Sequence, residues 1–190
     1  MELKLTVTKE EINDLPQYTY DGKISLIHKK EQLDKAIIDL KKEKVLGFDT
    51  ETRAAFKKGE SYDVSLLQLA TTSKAYLFRL NKVTLTSGLA DILADPNIIK
   101  AGVAIRDDII GLQKLTPFKD QGFVELADVA KSKGIDKFGL RALTAICLNK
   151  RLSKKENTSN WEKEKLTDSQ IHYAACDAIV GFEIYHKLCS

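Results

Sequence analysis

Residues 45–52 read VLGFDTET and place two carboxylates, Asp49 and Glu51, one residue apart. Val45, Leu46 and Phe48 mark the stretch as a buried β-strand. In a strand, residues i and i+2 point to the same face, so Asp49 and Glu51 stand side by side where apolar side chains belong. Far down the chain, Tyr173, Asp177, Val180 and Ile184 fall at i, i+4, i+7 and i+11 along one helical stripe. Val180 and Ile184 turn that stripe inward, and Asp177 goes with them, one turn from Tyr173. A third source is AGVAIRDDIIGL at 101–112, where Asp108 starts a helix whose Ile109, Leu112 and Leu115 can pack. Its neighbour Asp107 is a rival, better suited to a helix cap or a surface charge.

Inward carboxylates are costly. Two like charges ~4 Å apart repel by about 4 kcal/mol at an effective dielectric of 20. A shared proton, a basic side chain or a metal must offset that. Carboxylates without cysteine or histidine beside them suit hard, oxygen-seeking cations such as Mg²⁺ or Mn²⁺. Zinc is disfavoured, because the three histidines form no ligand-spaced pair with another His or Cys.

The elements that must position these residues follow from periodicity. KISLI at 23–27 alternates as a short strand, and 30–44 is an amphipathic helix carrying Leu33, Ala36, Ile37 and Leu40. Two more strands, 62–71 and 74–80, are close enough for a hairpin. A helix at 87–95 ends before Pro96. A strand at 97–104, a helix at 106–115 and a short strand at 122–127 follow. From residue 128 the chain reads as mostly helical. Its last helix opens near Thr167, where Thr167 and Gln170 fit a capping box. Residues 1–23 read as a lead-in with weak patterning. Strands first and alternation with helices later predict an α/β fold around one mixed sheet.

The chain of 190 residues, 43% hydrophobic and 30% charged, has the composition of a soluble globular protein. Its length favours one domain over 1–190, burying roughly 70% of the unfolded surface. No linker or repeat divides it. The net charge of +3 is compatible with a nucleic-acid partner without arguing for one. Cys147, Cys176 and Cys189 are scattered, as reduced thiols would be. With no leader or membrane span in the sequence, the expected location is cytoplasmic.

GFDTET, KAGVAIRDD and YAACD together resemble the three motifs of the DEDD 3′–5′ exonucleases, in the DEDDy subgroup of the ribonuclease D and Werner-type branch. Motif I maps onto Asp49 and Glu51. Motif II places its aspartate six residues after a glycine, which from Gly102 gives Asp108 and not Asp107. Motif III, Tyr-x-x-x-Asp, maps onto Tyr173 and Asp177. VSLLQLAT, FGLRALTAICLNKRLSK and SNWEKEKLTDSQIHYAACDA are similar to the family's flanking stretches. The resemblance runs from about residue 20 to the C-terminus.

It implies a ribonuclease H-like sheet flanked by helices. It also implies a site for two divalent cations held by Asp49, Glu51, Asp108 and Asp177, with Asp49 bridging both. The implied reaction hydrolyses the 3′-terminal phosphodiester of DNA or RNA and releases 5′-mononucleotides. Tyr173, a poor free base at a pKa near 10, is expected to orient the attacking water. Arg53 and Lys57 are candidates for contacts to the substrate backbone. The basic run Lys150, Arg151, Lys154 and Lys155 is a weaker one. Thr50 is expected to face away as structure, His172 to be structural, and Trp161 and Gln68 to belong to the core. Two departures stand out. Ala104 occupies a position where some relatives carry a small polar residue. The helical nucleic-acid-binding domain that follows the nuclease in ribonuclease D is not expected here. Two alternatives remain: a non-catalytic nucleic-acid-binding or scaffolding domain of the same fold, and an endonuclease or transposase. Intact acidic positions argue against the first, and the terminal Tyr-x-x-x-Asp against the second.

Overall fold

The computed structural model describes residues 4–189. The expected lead-in, whose first three residues lie outside that range, carries structure of its own. A short helix α1 (Lys9–Asp14) is closed by a capping box between Thr8 and Glu11. Gln17 then bridges to Arg151, and the Tyr18 hydroxyl donates to Glu183 at 2.9 Å. Six residues with none buried leave no apolar stripe, which is why periodicity misses α1.

β1 (Lys23–Ile27) and α2 (Lys30–Leu40) follow, then β2 (Val45–Thr52). β3 (Val64–Ala70) and β4 (Lys74–Arg79) form the expected hairpin, closed where the Thr71 amide donates to the Lys74 carbonyl at 2.9 Å. Next come α3 (Leu80–Val83), α4 (Ser87–Ala94), β5 (Ile99–Gly102) and α5 (Arg106–Leu115). β6 (Phe123–Glu125), α6 (Leu126–Ser132), α7 (Leu140–Leu148) and α8 (Asp168–Cys189) complete the chain. The strands make one mixed sheet in the order β1-β4-β3-β2-β5-β6, with only β3 antiparallel to its neighbours.

The alternation of β2 divides the molecule. Leu46 and Phe48 point to one face, where Leu33, Ala36 and Leu40 of α2, Leu89 and Ile92 of α4, and Ile109 and Leu112 of α5 pack. Gly47, Asp49 and Glu51 point to the other face. There α8 lies over the sheet, its Ala174, Ala175 and Ala178 against Leu66, Ala70 and Leu77. Gly47 permits this approach: a Cβ on it would sit 1.9 Å from the Ala178 carbonyl oxygen. The helix backbone therefore rests directly on β2.

The expectation of mostly helix after residue 128 is corrected between α7 and α8. Asn149 ends α7 in the left-handed conformation, φ 54°, and the chain then runs through turns to Thr167. That loop is anchored rather than loose. The buried Arg79 guanidinium donates to the carbonyls of Lys163 and Glu164, and Trp161 is fully buried against the sheet, as its packing role predicts. The capping box at the start of α8 is present, with the Gln170 amide donating to Thr167 Oγ1 at 3.2 Å and the Thr167 amide to Gln170 Oε1 at 3.0 Å.

Candidate active site

Asp49 and Glu51 leave the end of β2 on the face covered by α8. Asp177 comes down from α8 immediately before Ala178, the residue whose carbonyl lies over Gly47. One oxygen from each of Asp49, Glu51 and Asp177 lies within 4.8 Å of the others. Tyr173, a turn earlier, holds its ring beside Trp161, with centroids 6.2 Å apart, and donates its hydroxyl to Asn157 Oδ1 at 2.5 Å.

Asp108 reaches the same neighbourhood from the opposite side of the sheet. It sits in the first turn of α5 and accepts a hydrogen bond from Thr50 Oγ1 at 2.5 Å. Thr50 does face away from the other two acids of its strand, as expected, but it is more than filler: it ties motif II to motif I. Asp108 is thus not in the tight group of three, though its charge is felt by both Asp49 and Glu51. Asp107 points into solvent, so the glycine count selected the inward residue of the pair.

A residue not singled out from the sequence sets the start of α5. The Glu125 carboxylate, at the end of β6, accepts from the amides of Ala104 and Ile105 at 3.0 Å each. It braces the turn that Ala104 makes with φ 61°, and so the point where Asp108 emerges. A lone glutamate in GFVELA gives no sequence sign of this, because the bond spans two parallel strands.

The electrostatics follow from packing four acids together. Asp49 is held well above the ordinary carboxylate range by burial first, then by Asp177 and Asp108. Burial, with Asp49 and Asp177, pushes Glu51 up to about 10. Burial raises Asp177 to about 7, with a hydrogen bond from Tyr173 acting in the opposite direction. Asp108 rises to about 6 by burial, with the Thr50 hydrogen bond acting in the opposite direction. Burial, then Asp177 and Glu51, also push the Tyr173 phenol upward, so it remains protonated at neutral pH. Among the described residues, no ion pair joins a lysine or arginine to these four carboxylates. The donor set is all oxygen, concentrated and short of positive charge, and it fits a hard divalent cation.

Clefts open on two sides. One of about 460 Å³ runs from Tyr173 and Asp177 past Arg141, Ser153, Lys154 and Asn157. Besides Tyr173 and Asp177, only Lys154 among these walls was a sequence candidate. Lys150, Arg151 and Lys155 do not line it, and Arg151 instead donates to the Leu15 carbonyl at 2.9 Å. The other cleft, about 310 Å³, is lined by Arg53, Phe56, Lys57, Tyr62 and Asn160. Arg53 is not free there. It pairs with Glu162 at 3.1 Å and lies over the Tyr62 ring at 4.5 Å.

Residues 24–190 match the family model described as 3′-5′ exonuclease. The chain belongs to the DEDD-type 3′–5′ exonuclease family. It is 39% identical over 150 residues, 76% of its own length, to the mouse bifunctional 3′-5′ exonuclease/ATP-dependent helicase WRN, and it spans 11% of that protein. Its fold superposes on the EXO domain of Nibbler from Aedes aegypti with a TM-score of 0.82, at 24% identity and over 90% of both chains. The EXD2 exonuclease domain, in a crystal soaked in Mn, is 29% identical with a TM-score of 0.53 and covers 88% of this chain and 89% of that one. The ribonuclease H-like architecture expected from the sequence is the one observed. No helix among the described residues is long and apolar enough to cross a membrane.

Proposed function

We propose that this chain is a metal-dependent 3′–5′ exonuclease that hydrolyses terminal phosphodiesters of DNA or RNA and releases 5′-mononucleotides. The observation that carries the reading is the convergence of Asp49, Glu51 and Asp177 within 4.8 Å, at the motif positions of a nuclease family. The Mn-soaked crystal of the related EXD2 domain supports the choice of Mg²⁺ or Mn²⁺. Two such ions, when bound, would supply the positive charge that offsets the carboxylates and stabilises attacking and leaving oxygens.

The chain's own residues divide the remaining work. Asp49, Glu51 and Asp177, gathered within 4.8 Å, would together hold the ions, with Asp49 as the expected shared ligand. Asp108, steadied by Thr50, completes the set from the far face. Tyr173, neutral by virtue of its environment, orients the attacking water rather than removing its proton. The cleft of about 460 Å³ along Arg141, Ser153 and Lys154, which Tyr173 and Asp177 also line, would receive the strand's 3′ end. Lys57, together with the anchored Arg53, lines the other cleft and would contact the substrate's phosphates there.

The test is purified protein with 5′-labelled DNA and RNA, single- and double-stranded, with Mg²⁺ or Mn²⁺. A ladder in which the labelled strand shortens one nucleotide at a time from its 3′ end, with mononucleotides released and the reaction stopped by a chelator, is the expected result; internal cleavage that releases unlabelled oligonucleotides would refute it. Asp49→Ala is expected to abolish that activity in a protein that still folds cooperatively; retained activity would remove Asp49 from the site.

A further inference from the structure

The loop at 149–167 carries a residue in direct contact with the reaction machinery that no motif includes. Asn157 accepts the Tyr173 hydroxyl proton on Oδ1 at 2.5 Å. Its place is fixed by its neighbours. The Glu156 carboxylate accepts from Ser159 Oγ and, at 2.6 Å, from Ser169 Oγ in the first turns of α8. The Ser159 amide returns to the Glu156 carbonyl at 2.9 Å, and the Asn157 amide to Lys154 at 3.3 Å. The loop is therefore stitched to the same helix that carries Tyr173, and Asn157 travels with it.

A phenol has one proton to give. Two acceptors stand within its reach, Asn157 and the Asp177 carboxylate; when Asn157 takes it, the lone pairs of the Tyr173 oxygen are left for a donor in the cleft that Asp177 lines. Tyr173 can then only accept from a water there. A water that donates to Tyr173 keeps its own lone pair directed away, free to attack phosphorus. A phenol free to rotate could donate to that lone pair instead and block it.

We propose that Asn157 is a positioning residue: by holding the hydroxyl proton it makes Tyr173 a one-way acceptor for the attacking water. This rests on the exonuclease reading above. Asn157 is exposed apart from this contact, so the fold tolerates its replacement.

The test is a double-mutant cycle. Asn157→Ala is expected to lower kcat about 3- to 10-fold with KM unchanged, the range of one hydrogen bond. In a Tyr173→Phe background it is expected to do nothing further. Asn157→Asp, which can only accept, keeps most of the activity. Asn157→Lys, which can only donate, falls to the level of Tyr173→Phe even though its charge favours the substrate. A second readout needs no catalysis: in chelator, each single variant lowers the unfolding midpoint and the double variant lowers it no further than the larger single. Additive losses, or an Asn157→Lys protein with wild-type kcat, would overturn the assignment. A wild-type protein inert on every substrate would overturn the nuclease reading itself, which the active wild type with additive losses would leave standing.

Discussion

Gly47 offers the sharpest test of how the carboxylates are brought together. It lies on β2 two residues before Asp49, beneath the backbone of α8. A methyl group there would meet the Ala178 carbonyl oxygen at 1.9 Å and the Phe182 amide nitrogen at 2.8 Å. Ordinary contact begins near 3.4 Å, so the first of these falls short by about 1.5 Å. The obstacle is main chain in the middle of a 22-residue helix, which cannot rotate aside as a side chain would. Gly47→Ala must therefore lift α8 from the sheet. Overpacking of this kind costs about 1–3 kcal/mol, with this contact at the upper end or beyond. The helix carries Asp177 and Tyr173 with it, and a 1 Å misplacement of reacting groups can cost about 100-fold in rate. The assay is paired: urea denaturation for stability, and kcat on a labelled oligonucleotide with Mn²⁺. Gly181→Ala is the control, because its Cβ would stand 3.0 Å from the Ala101 carbonyl oxygen and needs only a small adjustment. A Gly47→Ala protein with wild-type stability and rate would show that α8 does not gain its position from this contact.

Metal-free protein is expected to lose stability as pH rises. Glu51, Asp108 and Asp177 bind protons more tightly folded than unfolded, so their contribution is fully present below about pH 4 and is lost as pH climbs through about 6, about 7 and about 10 in turn. Denaturation between pH 4.5 and 8 in chelator should show this fall, and saturating Mn²⁺ should flatten it; a stability that instead rises across that range would refute the crowding of charge. Thr50→Val keeps the β-branched shape but removes the hydrogen bond to Asp108, and about a tenfold loss of kcat is expected, restored by Thr50→Ser, with steady-state kinetics as the measure.

Much of this protein is legible in its sequence because its elements follow their periods. The inward pairing of Asp49 with Glu51 needs only the two-residue repeat of a strand, and the inward turn of Asp177 only the apolar stripe it shares with Val180 and Ile184. The glycine count that favours Asp108 over Asp107 agrees with their exposure. The hairpin and the capping box at Thr167 are equally local. What local pattern could not decide was distance across the fold. That Asp108 approaches from the opposite face and is tied to Thr50 depends on α5 and α8 lying on different sides of one sheet. Glu125 bracing Ala104, Arg53 turning to Glu162 and Asn157 meeting Tyr173 are contacts between residues far apart in sequence, set by topology and by loops without a period. The residue types therefore determined which chemistry was possible. Packing decided which side chains stand close enough to perform it, since three like charges gather only where a glycine lets one helix touch its strand.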